Sequence, residues 1–270
     1  MSATANRVAA VDCGTNSIRL LIHDTATGEV TRENTIVRLG QGVDESGRFH
    51  PDAIERTRKA LAAYVDTMER EGVSKVRMVA TSATRDASNR EDFFAMTRDL
   101  LGRIQPGAQA EVITGEEEAA LSFAGATADI DPARGPFCVI DLGGGSTEFV
   151  MDGHAVSTRL GCVRVTERFM RTDPPTEEET SAARAYIRER IAEAAAEVPF
   201  AQARTFVGCA GTFTTIAALA QHLPTYDPER IHMSEISFDR MREVTTDLLS
   251  LIHISEPTRL HKVSRMPSSA

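Results

Sequence analysis

The 270-residue chain has no uninterrupted apolar run near the roughly 20 residues that a membrane-spanning helix needs, so no transmembrane segment is expected. Its opening residues, Met1-Ser2-Ala3-Thr4-Ala5-Asn6-Arg7, carry no apolar core of the secretory type, and the expected location is the cytoplasm. Cysteine is scarce and scattered. Cys13, Cys138, Cys162 and Cys209 form no C-x-x-C pair, which argues against a zinc site or a disulfide framework and leaves them as small buried residues. Basic charge is short as well, with 30 Lys and Arg against 39 Asp and Glu, a net charge of −9 and a pI near 5.3. That balance opposes non-specific nucleic-acid binding while leaving room for a local basic pocket that takes a small polyanion. What is present is ordinary globular composition, 41% apolar and 26% charged, in a length that fits two domains or one large one.

The chain reads first as strand, glycine turn, strand: residues 8–11 are apolar, Asp12-Cys-Gly-Thr-Asn-Ser17 is a turn, and residues 18–22 return. A Thr-Ala-Thr-Gly turn then leads to a third strand within residues 30–39. Pro51 suits a first helical position, and Ile54, Leu61, Val65 and Met68 keep helical spacing up to Gly72. Strand 75–80, helix 91–104, strand 110–113 and helix 116–126 complete a βββαβαβα pattern, closed by a Pro- and Gly-containing link over 128–136. The pattern then restarts with strand 137–140, the turn Asp141-Leu-Gly-Gly-Gly-Ser-Thr147 and a return strand over 148–151. A long acidic helix is expected over 177–198, and a weaker third strand-and-glycine unit over 206–212 leads into a helix over 214–222.

The first two turns superpose at a constant offset (141 − 12 = 129): Asp12 on Asp141, Gly14 on Gly143, Ser17 on Ser146 and Arg19 on Glu148. This is an internal repeat. A glycine turn between antiparallel strands presents several backbone N–H groups at one point, and glycine lets an anion approach that backbone closely. A single such turn is equally well an ordinary hairpin; two matching copies point to phosphate binding. Gly14, Thr15, Asn16 and Ser17, with Gly143, Gly144, Gly145, Ser146 and Thr147, are therefore candidate substrate ligands. Asp141 and Glu148 bring two carboxylates to the mouth of the second turn, a pair suited to Mg²⁺ held directly or through water. Arg19 stands in the first turn where the second has Glu148, so one side is expected to supply positive charge to the substrate and the other the metal. Asp12 alternatively caps its own turn.

Two further segments carry candidate chemistry. Ala80-Thr-Ser-Ala-Thr-Arg85-Asp-Ala-Ser-Asn-Arg90 follows a strand and gathers hydroxyls, an amide and two arginines in what reads as one loop, a candidate oxyanion cradle through Arg85 and Arg90. Asn89 also fits as a helix cap. Thr114-Gly-Glu-Glu-Glu118-Ala puts three carboxylates in the first turn of a helix, where the macrodipole favours acids in any case. One of them aimed at the substrate would activate a water.

In chain order, Asp12-Cys-Gly-Thr-Asn-Ser-Ile-Arg-Leu-Leu, Leu39-Gly-Gln-Gly-Val-Asp, the run from Ala80 to Arg90, Gly115-Glu-Glu-Glu-Ala, Asp141-Leu-Gly-Gly-Gly-Ser-Thr-Glu, Leu160-Gly-Cys-Val-Arg and Gly208-Cys-Ala-Gly-Thr form a series of motifs. The series resembles that of the exopolyphosphatase and guanosine pentaphosphate phosphatase family over about residues 6–250. The resemblance implies the α/β, actin-like fold of the sugar-kinase, Hsp70 and actin superfamily, with a duplicated ribonuclease H-like core in two domains, 1–128 and 129–250, and a cleft between them. It implies hydrolysis of the terminal phosphate of inorganic polyphosphate with Mg²⁺, or Mn²⁺ as the alternative ion. Short chains are favoured for so compact a protein, and guanosine pentaphosphate is the alternative substrate. Carried over by motif, Glu118, directly before Ala119, takes the role of catalytic base, Asp141 and Glu148 hold the metal, and Arg85 and Arg90 belong to a substrate-binding basic loop. Neither a nucleic acid nor a membrane is an expected partner, and a homodimer is compatible with the sequence. The rivals are an actin-like nucleotide-binding kinase and an inactive binding homologue; Glu118 and the retained acids weigh against both.

Residues 237–250 read as an amphipathic helix through Phe238, Met241, Val244 and Leu248. Beyond it the family's His-Pro-Gly-Arg segment, strand and closing helix do not follow. Residues 251–259 resemble translated sequencing-adapter read-through, with a divergent, disordered tail as the alternative, so 251–270 is expected to be a tail foreign to the family, and the second domain to lack its last strand and helix.

Overall fold

The computed structural model describes residues 7–151 and 153–252. They form two compact units, one of residues 7–118 with Gly144–Ser146, the other of Ala119–Gly143 with residues 147–252.

The first unit opens with β1 (Arg7–Cys13), β2 (Ser17–Asp24) and β3 (Gly28–Ile36), followed by α1 (Val43–Ser46), α2 (Pro51–Arg70), β4 (Lys75–Ala80), α3 (Ser82–Asp86), α4 (Arg90–Leu101) and β5 (Ala110–Val112). Its sheet has the order β3-β2-β1-β4-β5, antiparallel across the first three strands and parallel from β1 through β4 to β5. Alternation along β1 and β2 buries Val11, Cys13, Ile18, Leu20 and Ile22. Helix α2 covers the sheet with Leu61, Tyr64, Val65 and Met68, all at 1% exposure or less, each side chain contributing roughly 1.5–3 kcal/mol by its removal from water. The Tyr64 hydroxyl hydrogen-bonds the Ile18 carbonyl and the Thr35 hydroxyl, both at 3.0 Å, so this large core residue leaves no polar atom stranded.

Helix α5 (Gly115–Thr127) leads into the second unit, which contains β6 (Phe137–Leu142), β7 (Thr147–Met151), β8 (His154–Thr158), α6 (Cys162–Phe169), α7 (Glu177–Glu197), β9 (Thr205–Cys209), α8 (Ala210–Ala220), α9 (Pro228–Ile231) and α10 (Phe238–Ile252). The sheet order is β8-β7-β6-β9, again three antiparallel strands followed by a parallel one. Strand β7 is buried at every position. The reason is cover on both faces: Val150 packs with Ala119 and Phe123 of α5, while Phe149 and Met151 pack with Ala194 of α7 and Val198. The repeated strand order bears out the duplicated α/β core that the motif resemblance implies.

Several elements differ from the expected pattern. The Ala80 to Arg90 run is not one loop: Ser82–Asp86 closes into a helical turn with Ser82, Ala83 and Thr84 buried. Strand β8 and helix α6 were not expected: β8 is only five residues long and begins with two exposed residues directly after the turn at Gly153. Strand β9 pairs parallel to β6 and leads into α8 as expected, but directly through Ala210 at φ 68°, so the helix begins at Ala210 rather than after a separate glycine turn. Cys13 and Cys138 are buried as expected, whereas Cys209 is half-buried and Cys162, the first residue of α6, is exposed. Burial pushes the Cys138 thiol up to about 11. Among the described residues no helix is long and apolar enough to cross a membrane. The expected tail lies outside the described residues from position 253 onward.

Candidate active site

The repeat seen in the sequence is also a repeat of register. Asp12 lies directly opposite Arg19 across β1 and β2, and Asp141 lies directly opposite Glu148 across β6 and β7. Residues directly opposite on antiparallel strands project to one face of the sheet, with Cβ atoms about 4.5–5.5 Å apart. In the first hairpin the acid meets its cation internally: Arg19 Nη1 bonds Asp12 Oδ2 at 3.3 Å, with both side chains more than 40% exposed. In the second, two carboxylates are opposed and Glu148 is only 1% exposed. Each of those acids accepts a serine hydroxyl, Ser122 to Asp141 at 2.6 Å and Ser157 to Glu148 at 2.7 Å.

The first turn is braced from outside. The Gly14 N–H closes it onto the Ser17 carbonyl at 2.9 Å, while Gly40 donates to the Thr15 carbonyl and Val37 and Arg38 to that of Asn16. Gly40 is required there, since a Cβ would sit 2.2 Å from the Thr15 methyl. The second turn has a matching brace, Cys162 N–H to the Gly143 carbonyl at 3.1 Å, and the Thr147 hydroxyl bonds the Leu160 carbonyl. Leu39-Gly40 and Leu160-Gly161 thus repeat one function, tying the segment after the third strand back to the turn. Within the first unit, Gly145 lies so close to two hydroxyls that an added Cβ would fall 2.6 Å from Thr15 Oγ1 and 2.7 Å from Ser82 Oγ. Thr15 Oγ1 is buried without a hydrogen-bond partner, a costly arrangement that a phosphate oxygen would relieve.

The three acids at the start of α5 have separate surroundings. Glu116 is exposed, and its own backbone N–H, then the Thr114 hydroxyl, hold its carboxyl below the usual range. Glu117 meets Arg77 at 2.8 Å, the same guanidinium that takes Glu111 at 3.0 Å. Glu118 is the most covered of the three ion-paired acids here, 17% exposed, with Arg85 Nη1 at 2.9 Å. Arg90, at the start of α4, is exposed.

A model of the Ppx/GppA phosphatase family matches residues 21–266. The chain belongs to that family. Exopolyphosphatase 2 of Mycobacterium tuberculosis is 53% identical over 256 residues, covering 91% of this chain and 80% of that protein. Among solved structures, an exopolyphosphatase-like protein is 41% identical with a TM-score of 0.82, over 90% of this chain and 78% of the other. A Ppx/GppA family member from Aquifex aeolicus is 32% identical with a TM-score of 0.69, over 92% and 79%. The actin-like α/β class expected from the motifs is borne out by these likenesses to Ppx/GppA structures together with the duplicated strand order.

Among the described residues no three His, Cys, Asp or Glu side chains cluster as a closed metal cage. An opposed Asp and Glu of hard oxygen donors still fits Mg²⁺, which is commonly held by one or two carboxylates and keeps several waters. Sequence reasoning missed Ser122 and Ser157. Ser122 was findable, being one helical turn after Glu118 on α5, whereas Ser157 depended on recognising β8.

Proposed function

We propose that this protein is a Mg²⁺-dependent exopolyphosphatase that releases orthophosphate from the end of inorganic polyphosphate and works in the cytoplasm. The observation that carries the reading to polyphosphate is the 53% identity to Exopolyphosphatase 2 over 256 residues, joined to the opposed pair Asp141 and Glu148. Two acids directly opposite one another repel, and a bound divalent cation would offset that repulsion.

Asp141 and Glu148 would hold Mg²⁺, oriented by the hydroxyls of Ser122 and Ser157. That ion supplies charge stabilisation for phosphate oxygens and orients the phosphoanhydride. The glycine turns around Gly14–Ser17 and Gly143–Thr147 offer N–H and hydroxyl donors to phosphate oxygens, Thr15 Oγ1 among them, and Arg19 and Arg90 offer positive charge. Glu118 acts as the general base. Water attacks the terminal phosphorus, its proton passes to the Glu118 carboxylate, and the bridging P–O bond breaks with its electron pair leaving on the shortened chain.

Orthophosphate release from polyphosphates of defined length, measured with Mg²⁺, with Mn²⁺ and with EDTA, tests this reading. The expected outcome is release that needs the metal and stops at Glu118→Gln with polyphosphate binding retained. No release from any chain length with either ion would overturn it, as would full activity in Glu118→Gln. Guanosine pentaphosphate in the same assay measures the substrate preference.

A further inference from the structure

Arg85 is anchored in an unusual way for a residue expected to grip substrate. It sits in α3, where its backbone N–H bonds the Thr81 carbonyl at 3.0 Å and its neighbours Ser82, Ala83 and Thr84 are buried. Its Nη1 makes two protein contacts, the Ile113 carbonyl at 3.0 Å and Glu118 Oε2 at 2.9 Å. Ile113 is itself fixed, 4% exposed, with its N–H on the Ala80 carbonyl at 3.2 Å. One nitrogen therefore ties α3, the residue following β5 and a carboxylate in the first turn of α5. Glu117, one residue earlier, is drawn instead to Arg77, whose side chain is 49% exposed; the Arg85 side chain is 25% exposed. Charge-assisted bonds of this kind are roughly twice as strong as neutral ones, and partial burial preserves that strength.

We propose that Arg85 is a positioning residue for the general base: anchored on the Ile113 carbonyl, its Nη1 holds the Glu118 carboxylate in one orientation, and it serves turnover rather than polyphosphate affinity. This rests on Glu118 being the base, as proposed above. A general base has to be held close to its productive geometry, and a misplacement of about 1 Å can cost about 100-fold in rate. Because both bonds leave from a single nitrogen, a lysine ammonium with three N–H donors can replace them, which it could not do for a two-nitrogen fork.

The test compares Arg85→Ala, Arg85→Lys, Glu118→Gln and the double variant Glu118→Gln/Arg85→Ala in the full chain, using polyphosphate as the probe. For Arg85→Ala the expected result is a fall in kcat of about 100-fold with KM changed less than about threefold, and for Arg85→Lys a recovery of about tenfold. Polyphosphate binding, read by calorimetry, is expected to be the same for Glu118→Gln with and without Arg85→Ala, within about twofold. A KM raised about tenfold with kcat kept, or a double variant binding about tenfold more weakly than Glu118→Gln, overturns the inference and makes Arg85 a substrate ligand. If Arg85→Ala does not fold, Arg85→Lys and the binding comparison with Glu118→Gln/Arg85→Lys decide by the same criteria. Full turnover in Glu118→Gln would instead remove the base reading itself, whereas an inactive Glu118→Gln beside a fully active Arg85→Ala would remove only the positioning role.

Discussion

The two hairpins share a register and differ in sign. Asp12 faces Arg19 in one, Asp141 faces Glu148 in the other, and the same backbone geometry holds both pairs directly opposite. The first pair neutralises itself at an exposed site, where such a bond contributes about 0.2–1 kcal/mol. The second sets two like charges opposite one another where Glu148 is 1% exposed, the arrangement to which the proposed Mg²⁺ is fitted. Duplication of a backbone thus supplied two frames, and one side chain in each decides whether the opposed pair is of unlike or of like charge. Glu148→Gln should expose this most strongly. Turnover is expected to fall about 10²–10³-fold. Urea unfolding with and without Mg²⁺ checks it: Mg²⁺ should raise the midpoint of the wild type and not that of the variant, and an equal rise in both would break the comparison.

The turns of the two hairpins differ as sharply in tolerance. A methyl at Gly145 meets Thr15 Oγ1 and Ser82 Oγ at 2.6 and 2.7 Å, whereas at Gly14 the nearest atom is the Ser17 carbonyl oxygen at 3.5 Å, an ordinary contact. Gly145→Ala is expected to lower kcat/KM by about 10- to 100-fold through displacement of those hydroxyls, and Gly14→Ala by about threefold at most. Steady-state kinetics of the two variants side by side measure the difference. Equal losses would mean that space at Gly145 has no special part.

The strands, the long helices and the 129-residue offset were legible because period-2 and period-3.6 patterns and glycine punctuation are local signals. The polarity of each hairpin was legible too, since Arg19 and Glu148 occupy equivalent places in the repeat. What stayed hidden were pairings between distant segments. Nothing local in Ala80 to Arg90 shows that Arg85 reaches Ile113 and Glu118, and the acids of Gly115-Glu-Glu-Glu118 are indistinguishable until Arg77 and Arg85 sort them. Ser157 was hidden for a topological reason, because β8 is short and its role follows from pairing beside β7.

The first hairpin can be pushed toward the second by Arg19→Glu, which sets two acids opposite each other as at Asp141 and Glu148. Because both side chains are more than 40% exposed, the expected cost is modest, about 0.5–1 kcal/mol in urea unfolding at low salt, shrinking as ionic strength rises. A loss that ignores salt would argue for packing rather than charge.

The far ends of the hairpins provide the smallest and most discriminating test. Arg7 and Asp24 are opposed at the open end of the first hairpin, bonded at 3.4 Å, whereas the equivalent places in the second hold Pro136 and Gly153, which carry no charge. The Ala26 N–H, followed by the Arg7 guanidinium, holds the Asp24 carboxyl below its ordinary value of 3.8. A carboxyl whose folded pKa is depressed contributes stability that is present above its unfolded pKa and is lost as pH falls through the folded one. The advantage of the wild type over Asp24→Asn should therefore be constant above about pH 5 and shrink steadily as the pH drops below about 4. Urea midpoints of both proteins across that range measure the difference. A gap that does not change with pH would show that Asp24 acts through its turn geometry alone, and that the first hairpin is no more electrostatically closed at its open end than the second.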